Sequence, residues 1–238
     1  MHATILTLFP EMFPGPLGHS ILGEALKNGL WSLTSINIRD FATDKHKTVD
    51  DTPFGGGAGM VMKAEVIEAA LLSLPNRGRT AYLSPRGRPL TQALAAELAQ
   101  EPSLTLLCGR YEGVDQRALE AYGVEEISIG DYILAGGEVA AMVALEAIIR
   151  LIPKVLGNSE TLHEESFHDN LLEYNHYTRP AKWFDKQGRL WDTPAVLLSG
   201  NHAQIAAWRR GNAEELTKAR RPDLWQAFEE HRKNQNER

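Results

Sequence analysis

Residues 104–151 read LTLLCGRYEGVDQRALEAYGVEEISIGDYILAGGEVAAMVALEAIIRL, and no other stretch constrains the fold as strongly. The apolar run Leu104–Cys108, followed at once by Gly109 and Gly113, predicts a buried strand that ends in a sharp turn. Asp115–Tyr122 predicts a short helix and Glu125–Ile129 a second strand. Gly130–Gly137 is a second glycine-bounded loop, and Glu138–Leu151 is an Ala-rich helix stopped by Pro153. Strand, loop, helix, twice over, is the rhythm of an α/β protein with a mostly parallel sheet. Ligands of such sheets bind beyond the carboxyl ends of the strands. Two adjacent glycine loops therefore predict a small-molecule site built largely from backbone amides and carbonyls.

The flanking sequence extends the pattern. Ala3–Phe9, Leu33–Ile38 and Thr80–Leu83 predict further strands, the last followed by a turn, SPRGRP. Ser20–Asn28 and Ala64–Leu74 predict helices, and Thr91 caps another that runs to Gln100. Residues 40–62 have no period and hold four glycines between Gly55 and Gly59, which predicts a long functional loop. After residue 153 the rhythm is lost. Residues 158–176 predict a flexible linker between a domain at 1–157 and one at 177–238. Three helices, Asn201–Arg210, Ala213–Arg220 and Pro222–Lys233, are expected at the end.

Composition excludes several classes. No apolar run is long enough to cross a bilayer, and MHATILTLFP is no secretory leader, so a cytoplasmic protein with no membrane partner is expected. The single cysteine, Cys108, lies in the apolar strand, where a small buried hydrophobe is expected. A net charge of −6 does not by itself suggest nucleic acid. The balance is uneven, however: residues 1–153 hold 12 basic and 18 acidic side chains, against 13 of each in 154–238.

Common catalytic signatures are missing: there is no GxxxxGK[ST], no G-x-G-x-x-G after the first strand and no G-x-S-x-G. His163 and His168 lack the HExxH spacing, and one cysteine argues against structural zinc, so no metal ligands are predicted. What remains is Arg150 at the end of the long helix, then Glu164, Glu165, Asp169 and Glu173. A helix-terminal arginine commonly complements the helix dipole, and such carboxylates are commonly solvated.

Resemblance changes their weight. The segments FPEMF (9–13), DKHKTVDDTPFGGGAGM (44–60), YLSPRG (82–87), LLCGRYEGVDQR (106–117), SIGDYILAGGE (128–138), HYTRP (176–180), PAVLLSGNH (194–202) and RRPDLW (220–225) run in order along nearly the whole chain. Together they resemble the bacterial tRNA (guanine-N1)-methyltransferases of the SPOUT family. That resemblance implies an α/β domain with a deep carboxyl-terminal trefoil knot, plus a small helical carboxyl-terminal domain. The knot is not readable from residues, since threaded chains are exceptions to ordinary connection rules.

The family's reaction methylates N1 of the guanine 3′ of the anticodon. The resemblance places S-adenosylmethionine among Tyr82, Leu83, Ser84 and Pro85; Gly109, Tyr111 and Glu112; and Ser128, Ile129, Gly130, Asp131, Tyr132, Ile133, Leu134, Gly136 and Gly137. Neutral guanine carries a proton on N1, so a base must remove it and the charge developing on O6 needs a partner. By resemblance Arg150 is that partner. Glu165 is the base, standing where the family usually has aspartate, with Asp169 in reserve. Ala58 and Asn175 stand where proline is common.

A Mg2+ ion also comes with the resemblance, though the sequence shows no cage for one. A homodimer with shared active sites and a tRNA partner follow in the same way. His46, Asp50, Gly55 and Gly59 are then expected near the guanine, and Arg179, Arg209, Arg210, Arg220 and Arg221 at phosphates. The rival readings are a related knotted enzyme acting on ribosomal RNA or a ribose hydroxyl, and a non-catalytic RNA-binding relative.

Overall fold

The computed structural model describes residues 1–157 and 165–236. The chain divides into two compact units, 1–157 and 158–238. The first unit holds a five-stranded sheet of β1 (His2–Thr7), β2 (Ser32–Asn37), β5 (Arg79–Pro89), β6 (Ser103–Cys108) and β7 (Glu125–Ser128). The order across it is β2-β1-β6-β5-β7, and every pairing is parallel. β6 is buried at all six positions, as a central strand covered on both faces must be.

Side chains alternate along each strand and divide the core in two. Ala3, Ile5, Leu104, Leu106, Ala81 and Leu83 pack against α1 (Ser20–Lys27), α3 (Gln92–Leu98) and α5 (Gly137–Ile149). Leu6, Leu107 and Tyr82 pack on the other side against α2 (Ala64–Leu72) and α4 (Gln116–Ala121). Two helices start as expected from local chemistry. Thr91 Oγ1 accepts from Leu94 N ahead of α3, and Asp115 Oδ1 accepts from Arg117 N ahead of α4.

Three features differ from the sequence expectations. β5 continues through SPRGRP to Pro89 with a register irregularity, so that Ile127 of β7 pairs with both Leu83 and Arg88. A Cβ on Gly87 would lie 2.4 Å from the Glu126 carbonyl carbon, so only glycine lets the bulged segment lie against β7. The loop at 40–62 is partly ordered by a short antiparallel pair, β3 (Asp50–Asp51) and β4 (Val61–Met62).

The third concerns the second unit. It contains the hairpin β8 (Lys182–Phe184) and β9 (Leu190–Asp192), then α6 (His202–Arg220) and α7 (Pro222–Asn236). α6 is one helix where a break at Gly211–Asn212 was expected. Burial of Ala213 and Thr217 against Leu171 and Phe228 outweighs the ~1 kcal/mol cost of an interior glycine. Residues 165–176, read as linker, dock on this unit: Leu171 is buried, Leu172 N donates to Thr217 Oγ1 at 2.8 Å, and Asn175 N donates to Asn212 Oδ1 at 2.8 Å. The rest of that segment, with His163 and Glu164, lies outside the described residues.

Candidate active site

β6, β5 and β7 are neighbours in the sheet, and the turns after β6 and β7, together with the middle of β5 where its register shifts, close around one cavity of about 250 Å³. That is near the small end of ligand pockets. Tyr82, Leu83, Ser84 and Pro85 line it from the first segment, the middle of β5. Gly109, Tyr111 and Glu112 do so from the second, the turn after β6, and Ser128, Ile129, Gly130, Tyr132, Ile133, Leu134, Gly136 and Gly137 from the third, the turn after β7. Asp131 is exposed and stands outside this lining. Gly113, expected only as a turn residue, and Arg110, Ile127, Ala135 and Ala140, which the sequence did not single out, complete it.

Glycine is required by close approach here. A Cβ on Gly109 would stand 2.6 Å from the Tyr82 ring, and one on Gly137 2.8 Å from the Cys108 Cα. Gly137 N donates to Gly109 O at 2.9 Å and ties the second turn to the third. Gly130 has φ +145°, which a residue with a side chain rarely adopts. Burial raises the Tyr82 hydroxyl above its usual pKa, so that wall of the cavity is a neutral phenol.

Beneath the turns lies a polar frame. Glu138, in the first turn of α5, is 1% exposed. Its Oε1 accepts from Thr7 Oγ1 at 2.7 Å, and its Oε2 lies 2.9 Å from Arg110 Nη2. Arg110 in turn donates from Nη1 to Ala135 O at 3.3 Å and lies 4.3 Å above the Phe9 ring. One buried carboxylate thus anchors the arginine that bridges two cavity turns. Nearby, burial and then the Glu138 charge push the Cys108 thiol well above its usual pKa.

The glycine-rich loop reaches the cavity rim. Glu112 N donates to Met60 O at 2.9 Å, Met62 N to Gly113 O at 2.9 Å and Asp115 N to Met62 O at 3.0 Å. Gly59 lies so close to Glu112 that a Cβ there would stand 2.3 Å from the carboxylate oxygen. Gly55 (φ +86°) lies on the exposed part of the same loop. Asp50 sits in β3, and His46 is exposed on a turn held by Asp44, which accepts from Thr48 N at 2.8 Å and His46 N at 2.9 Å. Those donors hold the Asp44 carboxyl below its usual range.

Arg150 caps the carboxyl end of α5. The cavity lies at the other end of that helix, which at 1.5 Å per residue puts Arg150 roughly 20 Å along the axis from Gly137.

In the second unit, Glu165 and Asp169 line a separate hollow with Tyr174, His202, Arg209 and Arg210. Asp169 and Asn170 both have left-handed backbone, φ +52° and +60°. Arg210 Nη1 lies 3.5 Å from Asp169 Oδ2, and its Nε donates to Glu214 Oε1 at 2.9 Å. The Arg209 guanidinium lies 4.8 Å from the Tyr174 ring centre. Arg221 pairs with Asp223 at 2.6 Å and holds that carboxyl down to about 2. A phosphate at any of these three arginines would compete with an existing partner. Arg179 and Arg220 are exposed.

Two properties of this cavity suit a small organic ligand: backbone approached through glycines that no Cβ can replace, and apolar walls from Leu83, Ile129 and Leu134. Among the described residues no three His, Cys, Asp or Glu side chains converge on a point that would hold a metal ion. Nor is any described helix long and apolar enough to cross a membrane.

The family model described as tRNA (Guanine-1)-methyltransferase TrmD matches residues 1–227. A tRNA (guanine-N(1)-)-methyltransferase of Rhodospirillum rubrum is 60% identical over 229 residues, covering 96% of this chain and 94% of its own. One from Mesorhizobium japonicum is 60% identical over 225 residues, 93% and 95% of the two chains. One from Cereibacter sphaeroides is 55% identical over 233 residues, 95% and 92%. The match spans all three cavity segments, the rim loop and the second unit, and this chain belongs to the tRNA (guanine-1)-methyltransferase family.

Proposed function

We propose that this protein transfers a methyl group from S-adenosylmethionine to N1 of guanine 37, the base 3′ of the anticodon in tRNA. The observation that carries the reading is the convergence of two glycine-bounded turns and the shifted stretch of β5 on one cavity of a parallel sheet. Bound there, S-adenosylmethionine supplies a methyl group already activated on a sulfonium. The backbone of the segments 82–85, 109–113 and 128–137 holds and bends the donor and excludes water.

The protein's remaining task is the nucleophile. Glu165 takes the proton from N1, and the freed electron pair forms the N–CH3 bond as the C–S bond breaks toward sulfur. Arg150 meets the negative charge on O6 with a permanently charged, planar fork. It also makes N1 more acidic, which an ordinary carboxylate base requires. Asp169, already beside Arg210, is the less favoured base. Mg2+ is assigned no ligands in this scheme.

The reading includes a homodimer with shared sites. Arg150 is roughly 15 Å along α5 from Ala140, the last residue of that helix to line the cavity of its own chain, beyond the reach of an arginine side chain. A second copy brings it to the bound guanine. Val139 and Val143 leave an exposed apolar stripe on α5 suited to such a contact. The trefoil knot belongs to the same reading.

The test is to incubate the protein with labelled donor and an unmodified tRNA transcript, then digest the product. The expected result is 1-methylguanosine at position 37 and no transfer when that base is adenine. A 2′-O-methyl nucleoside, methylation of ribosomal RNA only, or binding without transfer would overturn it.

A further inference from the structure

The hairpin β8–β9 has no part in the chemistry above, yet its composition is unusual. Trp183 pairs directly with Trp191, and Phe184 with Leu190. Directly opposed residues of an antiparallel pair point to the same face. The two indoles therefore share one face of the ribbon, and Phe184 and Leu190 share the other. All four are open to solvent: Trp183 is 56% exposed, Phe184 61%, Leu190 44% and Trp191 55%.

The hairpin is held instead by its turn. Asp185 Oδ1 accepts from Gln187 N at 2.9 Å and Arg189 N at 3.0 Å, and Oδ2 accepts from Arg189 Nε at 2.7 Å and Trp191 Nε1 at 3.2 Å. The Trp191 ring is thus oriented by its own N–H, and the Arg189 guanidinium stands 5.9 Å from its centre. Fixing an indole while leaving more than half of its residue bare pre-organises a flat surface for something to lie on.

Charge selects the occupant. Between Arg179 and Asp192 there are four basic side chains and two acidic ones, in a chain whose net charge is −6. Lysine and aspartate are depleted where protein meets protein, whereas aromatic faces interleaved with cations are how unpaired nucleotides are held. We propose that the Trp183–Trp191 face is a stacking platform for an unpaired base of the RNA substrate, with Lys186 of the adjoining turn at a neighbouring phosphate. This rests on the tRNA reading above and adds to it a subsite remote in sequence from the guanine chemistry.

The test uses the full-length protein and an unmodified tRNA transcript. Dissociation constants for tRNA and for S-adenosylmethionine are measured separately, with sedimentation of each variant. Trp183→Ala with Trp191→Ala is expected to weaken tRNA binding at least about fivefold per base stacked. Donor affinity and sedimentation are expected to stay as in the wild type. The double Phe variant is expected to recover most of the loss, since any aromatic face stacks. Lys186→Glu is expected to lower the slope of log affinity against log salt by about one.

Unchanged tRNA affinity in the double Ala variant would overturn the platform. So would a change to a smaller sedimenting species, which would make a second copy the occupant. If the double Ala variant does not fold, the lysine variant decides alone, and an unaltered salt slope overturns the proposal. Failure of the underlying reading looks different: the wild type itself then transfers no methyl group to tRNA.

Discussion

Glu138 is the most consequential single side chain in the cavity's support. It is 1% exposed and answers both Thr7 and Arg110. Glu138→Ala would leave a mostly buried guanidinium without its counter-charge, and removing one partner of a buried pair costs about 3–5 kcal/mol. Urea unfolding should show that loss. Donor affinity should fall with it, because Arg110 also fastens the third turn through Ala135 O. Gly137→Ala tests close approach itself. Its Cβ would meet backbone at Cys108 and Gly109, which cannot yield as a side chain tip does. Calorimetry should find donor binding at least tenfold weaker, a change of about 1.4 kcal/mol or more. Cys108 supplies a chemical check. Only the thiolate is nucleophilic, and burial raises this thiol's pKa, so it stays protonated at neutral and mildly alkaline pH. A thiol reagent at pH 8 should react with it only after denaturant is added.

Among the elements, α6 is where local signals and the observed structure part most clearly. Gly211 and Asn212 look like a helix break, but the helix runs through them. A Cβ on Gly211 would meet no heavy atom within 4 Å. Gly211→Ala should therefore raise stability by up to about 1 kcal/mol, read as a higher midpoint in denaturant. If the helix really broke there, the same change would do nothing or harm. At the start of α7, Arg221 holds the Asp223 carboxyl down to about 2 from its ordinary 3.8. A depressed carboxyl stabilises the folded state above its unfolded pKa and loses that contribution as pH falls through the folded one. The pair should therefore support α7 at neutral pH and stop doing so between about pH 4 and pH 2. Asp223→Asn should flatten that part of the acid profile, followed by circular dichroism.

On the scale of the whole molecule, the placement of Arg150 at the far end of α5 from the cavity makes a decisive experiment available. Assayed with donor well below the dissociation constant of Gly137→Ala, Arg150→Ala and Gly137→Ala are each expected to be nearly inactive as pure proteins. Mixed and allowed to exchange subunits, they should regain about a quarter of wild-type activity, because half the dimers are mixed and each has one intact site across a two-fold interface. If Arg150 served the cavity of its own chain, no mixture would be active.

Much of the cavity was legible because turns are local. An apolar run, a glycine and a change of period lie within ten residues of one another, so the ends of β6 and β7 could be placed from sequence, whereas β5 runs six residues past its expected end at Leu83. Arg110 sat inside the quoted CGRYEG segment, but its meaning depends on Glu138, 28 positions later, and Glu138 depends on Thr7, 131 positions earlier. No local period encodes such pairs. By itself the sequence determined the α/β rhythm, the glycine-bounded ends of β6 and β7, the capping of α3 and the family. Tertiary structure alone decided the strand order β2-β1-β6-β5-β7, which gathers three separated segments, the continuity of α6 and the docking of residues 165–176. The physical reason is that these depend on burial between segments far apart in the chain, and the energy of that burial exceeds the local preferences that a sequence displays.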